Sequence, residues 1–239
     1  MKGLGTLVNF LAVIAGSGLG LIFKNVLKQR FHEILIQACG LATLFIGLGG
    51  AITGLMKLSE KGTFETTNTM LLVFSLVIGG LIGELLQLET HMESLGDRLK
   101  NLLKANNDSQ FVEGFVTATL VICVGAMAIV GSIKDGLTGD YTMLFAKAIL
   151  DFIIVMVFAS SLGIGVMLSS IPLLVYQGAI TLSAALISQY MDDTLISYLS
   201  CIGSVLIFGV GINLIFGKKL RVGNLLPAIL IPVVYSFFF

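Results

Sequence analysis

"FAKAILDFIIVMVFASSLGIGVMLSSIPLLVYQ", Phe145 to Gln177, decides the fold of this chain. Lys147 and Asp151 stand at its head, and no further Lys, Arg, Asp or Glu follows until Asp192. A helix needs about 20 apolar residues to cross a bilayer. This run holds one such helix and the start of a second, joined by a tight turn at "SSIP". Lys147 and Asp151 are four residues apart, on one face of the first helix.

The whole chain follows this pattern. Of its 239 residues, 56% are hydrophobic and 12% charged, and mean hydropathy is +1.01. Soluble domains carry about 25% charged residues. The charges here bunch between long apolar runs, so the chain reads as an all-α polytopic transmembrane helical bundle. One integral membrane domain is expected over residues 1–239. Fourteen basic and fourteen acidic residues cancel, which argues against a nucleic-acid partner. Cys39, Cys123 and Cys201 lie in or beside apolar runs without CxxC spacing, so neither a disulfide framework nor a zinc site is expected. "GLGTLVNFLAVIAGSGLGLIF" near the start is too long for a signal-peptide core and reads as a retained first span.

About eight spans are expected: 4–23, 34–56, 69–87, 112–132, 145–168, 171–189, 195–216 and 222–238. Pro227 and Pro232 leave the last one tilted, kinked or only partly inserted. Lys and Arg mark the cytoplasmic side. Alternate loops beginning with the first hold nine of them, from Lys24 to Arg221, against five on the other side. Both termini are therefore expected to face away from the cytoplasm.

In the third loop Met92, Leu95, Leu99, Leu102 and Leu103 recur at three- and four-residue steps. This stripe predicts an amphipathic helix over 89–106, lying on the membrane surface or packed on protein. "ATLFIGLG" (42–49) matches "ATLVICVG" (118–125), and "VIAG" (13–16) matches "VIGG" (77–80). Residues 4–56 and 69–132 therefore read as a parallel repeat of helical hairpins. Glycines at Gly16 and Gly20, Gly50 and Gly54, and Gly79 and Gly83 are spaced for close helix contact.

An acid inside the bilayer is costly unless paired, hydrated or protonated. Asp151 is therefore the leading candidate for a cation or proton site, with Lys147 as its switchable partner. A purely structural ion pair is the equal alternative. Ser160, Ser161, Gln177 and Tyr176 on the same two helices extend a candidate polar path. Asp135 and Asp140 in the outer loop and Glu84 at the cytoplasmic end of the third span complete the candidates. Asn9 and Asn213 read as single amides making helix contacts. The oxygen-rich set suits a proton or hard cation. No resident cofactor or metal is expected.

The two histidines, His32 and His91, lie in loops, and no HExxH, GxSxG or Walker motif occurs. An enzyme is not expected. The block Gly131–Gln177, with "LVIGGLIGELLQLE" and the late "NLLPAIL", resembles the DUF554 family of YqgA/YdfK-like bacterial membrane proteins. The resemblance covers essentially the whole chain. It implies an inner-membrane protein of the transport kind without a settled substrate, described for some members as a sodium channel or pump. It transfers no binding residue. The expectation is a membrane transporter or channel for a monovalent cation, proton or small solute, not ATP-driven by itself. Its partners are expected to be membrane lipid and a second copy of the chain in a homo-oligomer. The alternative is a non-transporting membrane scaffold whose charges are structural.

Overall fold

The computed structural model describes residues 2–24, 29–58, 62–105, 109–124, 126–187 and 192–236. The apolar runs form helices, since only a helix satisfies every backbone group within one membrane-crossing segment. In order they are α1 (Leu4–Lys24), α2 (Gln29–Leu55), α3 (Thr69–Leu86), α4 (Leu88–Leu102), α5 (Phe111–Cys123), α6 (Ala126–Thr138), α7 (Thr142–Leu162), α8 (Gly165–Leu168), α9 (Ser170–Leu182), α10 (Ala184–Ile187) and α11 (Asp193–Phe216). A 3-10 segment (Val222–Leu230) and α12 (Ile231–Ser236) follow. Between α2 and α3, strands β1 (Met56–Leu58) and β2 (Phe64–Thr66) pair antiparallel, Lys57 opposite Glu65. This small hairpin lies between the expected spans 34–56 and 69–87.

Among the described residues, six segments are long and apolar enough to cross a membrane, or seven if a bent helix pair counts as one span. The expected span 112–132 is broken into two short helices, α5 and α6, bent 60° from each other, which together are long and apolar enough for one span. The expected span 222–238 is a broken element with Pro227 inside its 3-10 part. A 3-10 helix rises about 2.0 Å per residue against 1.5 Å in an α-helix. End to end, this stretch therefore reaches about 27 Å, close to the hydrocarbon thickness of about 30 Å. α4 forms as expected, and Gly96 touches α5 while Leu95, Leu102 and Leu103 stay exposed. The matched octets take different backbones. The first lies inside α2, whereas α5 ends at Cys123 within the second.

The chain divides into two compact units. Unit 1 comprises Met1–Cys39 and Met92–Tyr190; unit 2 comprises Gly40–His91 and Met191–Phe239. Residues 4–56, read as one repeat, therefore contribute to both.

In unit 1, α1 lies along α7 in the same direction, with Gly5 at Leu144, Gly16 at Phe152 and Gly20 at Met156. A Cβ on Gly16 or Gly20 would collide with the carbonyl oxygen of Phe152 or Met156. The approach is that close because small residues let helix backbones meet where lipid offers no hydrophobic force between helices. α1 turns Gly5, Thr6, Asn9, Val13, Gly16, Ser17 and Gly20 inward. Leu7, Leu11, Leu19 and Ile22 are exposed. This polarity is inverted relative to a soluble helix and suits a lipid surround.

In unit 2, α2 meets α11 where Gly47 faces Phe208 and Gly54 faces Cys201. α3 meets the 3-10 segment where Gly79 faces Ala228 and Gly83 faces Asn224.

Candidate functional site

The centre of unit 1 is built from α7 outward. Lys147 and Asp151 lie one turn apart on its buried face, 7% and 4% exposed. Lys147 Nζ donates to Asp151 Oδ2 at 2.5 Å. Side chains on a helix lean toward its N-terminus, so Asp151 reaches back to the level of Lys147. α1 supplies Asn9, fully buried, whose Nδ2 donates to the same Asp151 Oδ2 at 3.0 Å. Asn9 Nδ2 also reaches Gln177 Oε1 on α9 at 3.4 Å. Two helices thus meet at one carboxylate, and α9 joins them through Asn9. A step along α1 and α9, the hydroxyls of Thr6 and Thr181 bond at 3.2 Å.

Two atoms of this cluster are buried without a protein partner: Asn9 Oδ1, an acceptor, and Gln177 Nε2, a donor. Ser17 Oγ on α1 and Ser132 Oγ on α6 share that condition. Ser75 Oγ in unit 2 shares it too, and each such group costs about 1–3 kcal/mol when it stays unpaired.

Cys123, the last residue of α5, stands within electrostatic reach of both Lys147 and Asp151. Last-turn carbonyls of a helix carry partial negative charge. Interrupted helices at an ion site are a recurrent design in transporters.

The other candidate residues have separate places. Asp135 lies on α6, not in a loop, and is fully buried. It accepts hydrogen bonds from Gly3 N at 3.1 Å and Gly5 N at 3.0 Å. It thus caps the start of α1, where a carboxylate meets the positive end of the helix dipole. Asp140 is exposed and accepts from Thr142 N at 3.0 Å. Hydrogen bonding by Thr142 holds its carboxyl below the ordinary value. Ser160 turns onto its own helix, donating to Val157 O. Ser160 and Ser161 lie more than two turns beyond Asp151 and are not part of its cluster. Tyr176 is half-buried on α9, within electrostatic reach of Cys123.

Glu84 belongs to unit 2. Its carboxylate takes Arg221 Nη1 at 2.5 Å and Asn224 Nδ2 at 2.7 Å. Beside it, buried Glu89 accepts from Gly223 N at 3.1 Å and pairs with Lys218 Nζ at 2.7 Å. Asn224 Oδ1 in turn accepts from Glu89 N. These bonds tie the "GKKLRVGN" segment to α3 and α4. Asn213 holds the same segment through the backbone of Lys219 and Leu220. Among the described residues, no group of three His, Cys, Asp or Glu is placed to hold a metal ion.

Residues 4–237 match the family model described as "Protein of unknown function (DUF554)". The chain belongs to the DUF554 family. It is 35% identical over 233 residues to the "Uncharacterized membrane protein YdfK" of Bacillus subtilis, covering 98% of this chain and 95% of that one. It is 30% identical over 237 residues to the "Uncharacterized protein YqgA" of Escherichia coli, covering 98% and 96%. No solved structure matches it.

In this DUF554 chain, Asp151, Lys147 and Gln177 stand out in the sequence and the fold brings them together, whereas Asn9 reads there as a lone amide. Its signal was nonetheless present. Thr6, Asn9, Val13, Gly16, Ser17 and Gly20 recur at helical steps, so the small and polar residues of α1 share one face.

Proposed function

We propose that this membrane protein is a transporter or channel for a monovalent cation, a proton or a small solute, working without ATP hydrolysis of its own. One observation carries the reading. A buried ion pair on α7 is joined to amides on α1 and α9, and those amides keep an unpaired acceptor and an unpaired donor at the same spot. Evolution can replace a purely structural buried pair by apolar packing at little loss of stability. A pair surrounded by unfinished hydrogen bonds fits a site that exchanges partners.

In this reading Asp151 is the charge that cargo meets. Lys147 is its resident counter-charge, present when cargo is not. Asn9 and Gln177 shape the approach, and the break after α5 provides the local freedom to open it. Glu84, with Arg221 and Asn224, holds the far end of α3. The chain performs no catalysis. It sits in the bacterial inner membrane with both termini away from the cytoplasm.

The scaffold reading draws on the same 2.5 Å contact, which can also fix α7 against α1. Reconstitution separates the two. Purified protein in liposomes under an ion gradient is expected to move a monovalent cation or protons above the protein-free level. Flux equal to the protein-free level for every ion tested would leave the scaffold.

A further inference from the structure

The next question is which cargo the Asp151 centre accepts, and its answer rests on the transport reading above. The groups that face the carboxylate come from each helix around it. From α7 itself comes the Lys147 ammonium, and from α1 the Asn9 Nδ2. Gln177 on α9 is reached through Asn9. Cys123 on α5 lies within electrostatic reach, and Tyr176 on α9 within reach of Cys123. Asp135 on α6 is committed to the amides of Gly3 and Gly5.

Oδ2 of Asp151 therefore faces two N–H donors. A metal ion approaching it meets the positive ends of an ammonium and an amide. A dehydrated metal ion also needs a shell of several oxygen ligands. Beyond the carboxylate itself, the cluster offers the unpaired Asn9 Oδ1, whereas Gln177 Oε1 is already turned to Asn9 Nδ2. A proton needs one lone pair on one oxygen. It can come to the carboxylate through a water hydrogen-bonded to Asn9 Oδ1 and Gln177 Nε2, whose acceptor and donor capacities are unused. Water is the usual partner of such buried atoms.

The geometry points to the proton as the cargo of the Lys147–Asp151 centre, taken up on the carboxylate and given off from the ammonium, with metal ions excluded. The cycle balances. An arriving proton forms an O–H bond at Asp151. One N–H bond of Lys147 breaks and its proton leaves on the other side. The pair is then a neutral acid and a neutral amine. Transfer of the carboxyl proton to the amine restores carboxylate and ammonium. One proton has crossed, and the net charge of the pair is zero at each resting stage.

The cycle requires that Lys147 lose a proton. Lysine can do so when buried, and arginine cannot. Lys147→Arg therefore keeps a cation beside Asp151 but blocks the release step, which separates a proton carrier from a structural clamp.

The test uses the full chain in liposomes, with an internal pH-sensitive dye and, separately, radioactive sodium uptake. The expected result is proton flux with sodium uptake at the protein-free level. Lys147→Arg, monodisperse and with an unchanged melting temperature, is expected to lower proton flux by about 100-fold. If that variant does not fold, Lys147→Gln, which lacks a titratable proton, is expected to show the same loss. Sodium uptake without proton movement, or full proton flux in a folded Lys147→Arg or Lys147→Gln protein, overturns the inference while transport stands. Absence of flux for both ions overturns this inference, while the transport reading is decided separately by the flux test of other cations and solutes given with it.

Discussion

Asn9 and Asp151, 142 residues apart in the chain, share a 3.0 Å hydrogen bond in the interior of unit 1. That bond ties the first helix to the charged face of α7. Because α1 and α7 run in the same direction, their small-residue contacts align along the helices. Replacing Asn9 by Leu deprives the carboxylate of one donor in a site closed to solvent. We expect a loss of about 1–3 kcal/mol, measured as a lowered melting temperature of the purified protein. An unchanged melting temperature would contradict the assignment of this bond.

The Lys147–Asp151 pair separates stability from function. Lys147→Met alone leaves an uncompensated buried carboxylate and is expected to cost about 3–5 kcal/mol. Adding Asp151→Leu removes both charges and is expected to recover most of that stability, since apolar residues can substitute for a buried pair. The double variant is expected to fold and to transport nothing. A stable double variant with normal flux would make the pair a clamp.

Gly16 and Gly49 form an internal control. A Cβ at Gly16 meets the Phe152 carbonyl and Val155, whereas one at Gly49 meets nothing within 4 Å. Gly16→Val is expected to force α1 from α7 at a cost of about 1–3 kcal/mol or more. Gly49→Ala is expected to be neutral or to stabilise α2 by up to about 1 kcal/mol through helix propensity. Thermal unfolding of the two variants, side by side, checks the helix contact.

The fold was legible wherever an apolar run was long enough to span, because the bilayer leaves a backbone few alternatives. α1, α3, α7 and α11 follow directly from their runs. The break after Cys123 was not legible. No proline or polar cluster marks it, and the octet that ends there closely matches one that stays helical inside α2. The short last element was foreshadowed by Pro227 and Pro232, but its 3-10 geometry was not. At the site, Asp151 and Lys147 announced themselves by charge. Asp135 read as a loop residue because glycines flank it closely, yet its carboxylate is drawn inside by the two amides at the start of α1. Asn9 was hidden because one amide in an apolar helix carries little weight until its neighbours on the same face are counted.

Orientation is checked independently. Lys218 is exposed on the segment that pairs with Glu89, and by the excess of basic residues we expect it on the cytoplasmic side. Lys218→Cys in intact cells, with Cys39, Cys123 and Cys201 replaced, is expected to resist a membrane-impermeant thiol reagent and to react after permeabilisation. Labelling of intact cells would reverse the topology.

The central claim is that Asp151 is held in the interior because cargo meets it there. The most direct measurement compares wild-type protein and Asp151→Asn, reconstituted at equal density and with equal folded fraction, for ion flux under an imposed gradient. Wild-type flux above the protein-free level, falling to that level in Asp151→Asn, is the predicted result. Equal flux from the two proteins would show that the cargo passes without using this carboxylate.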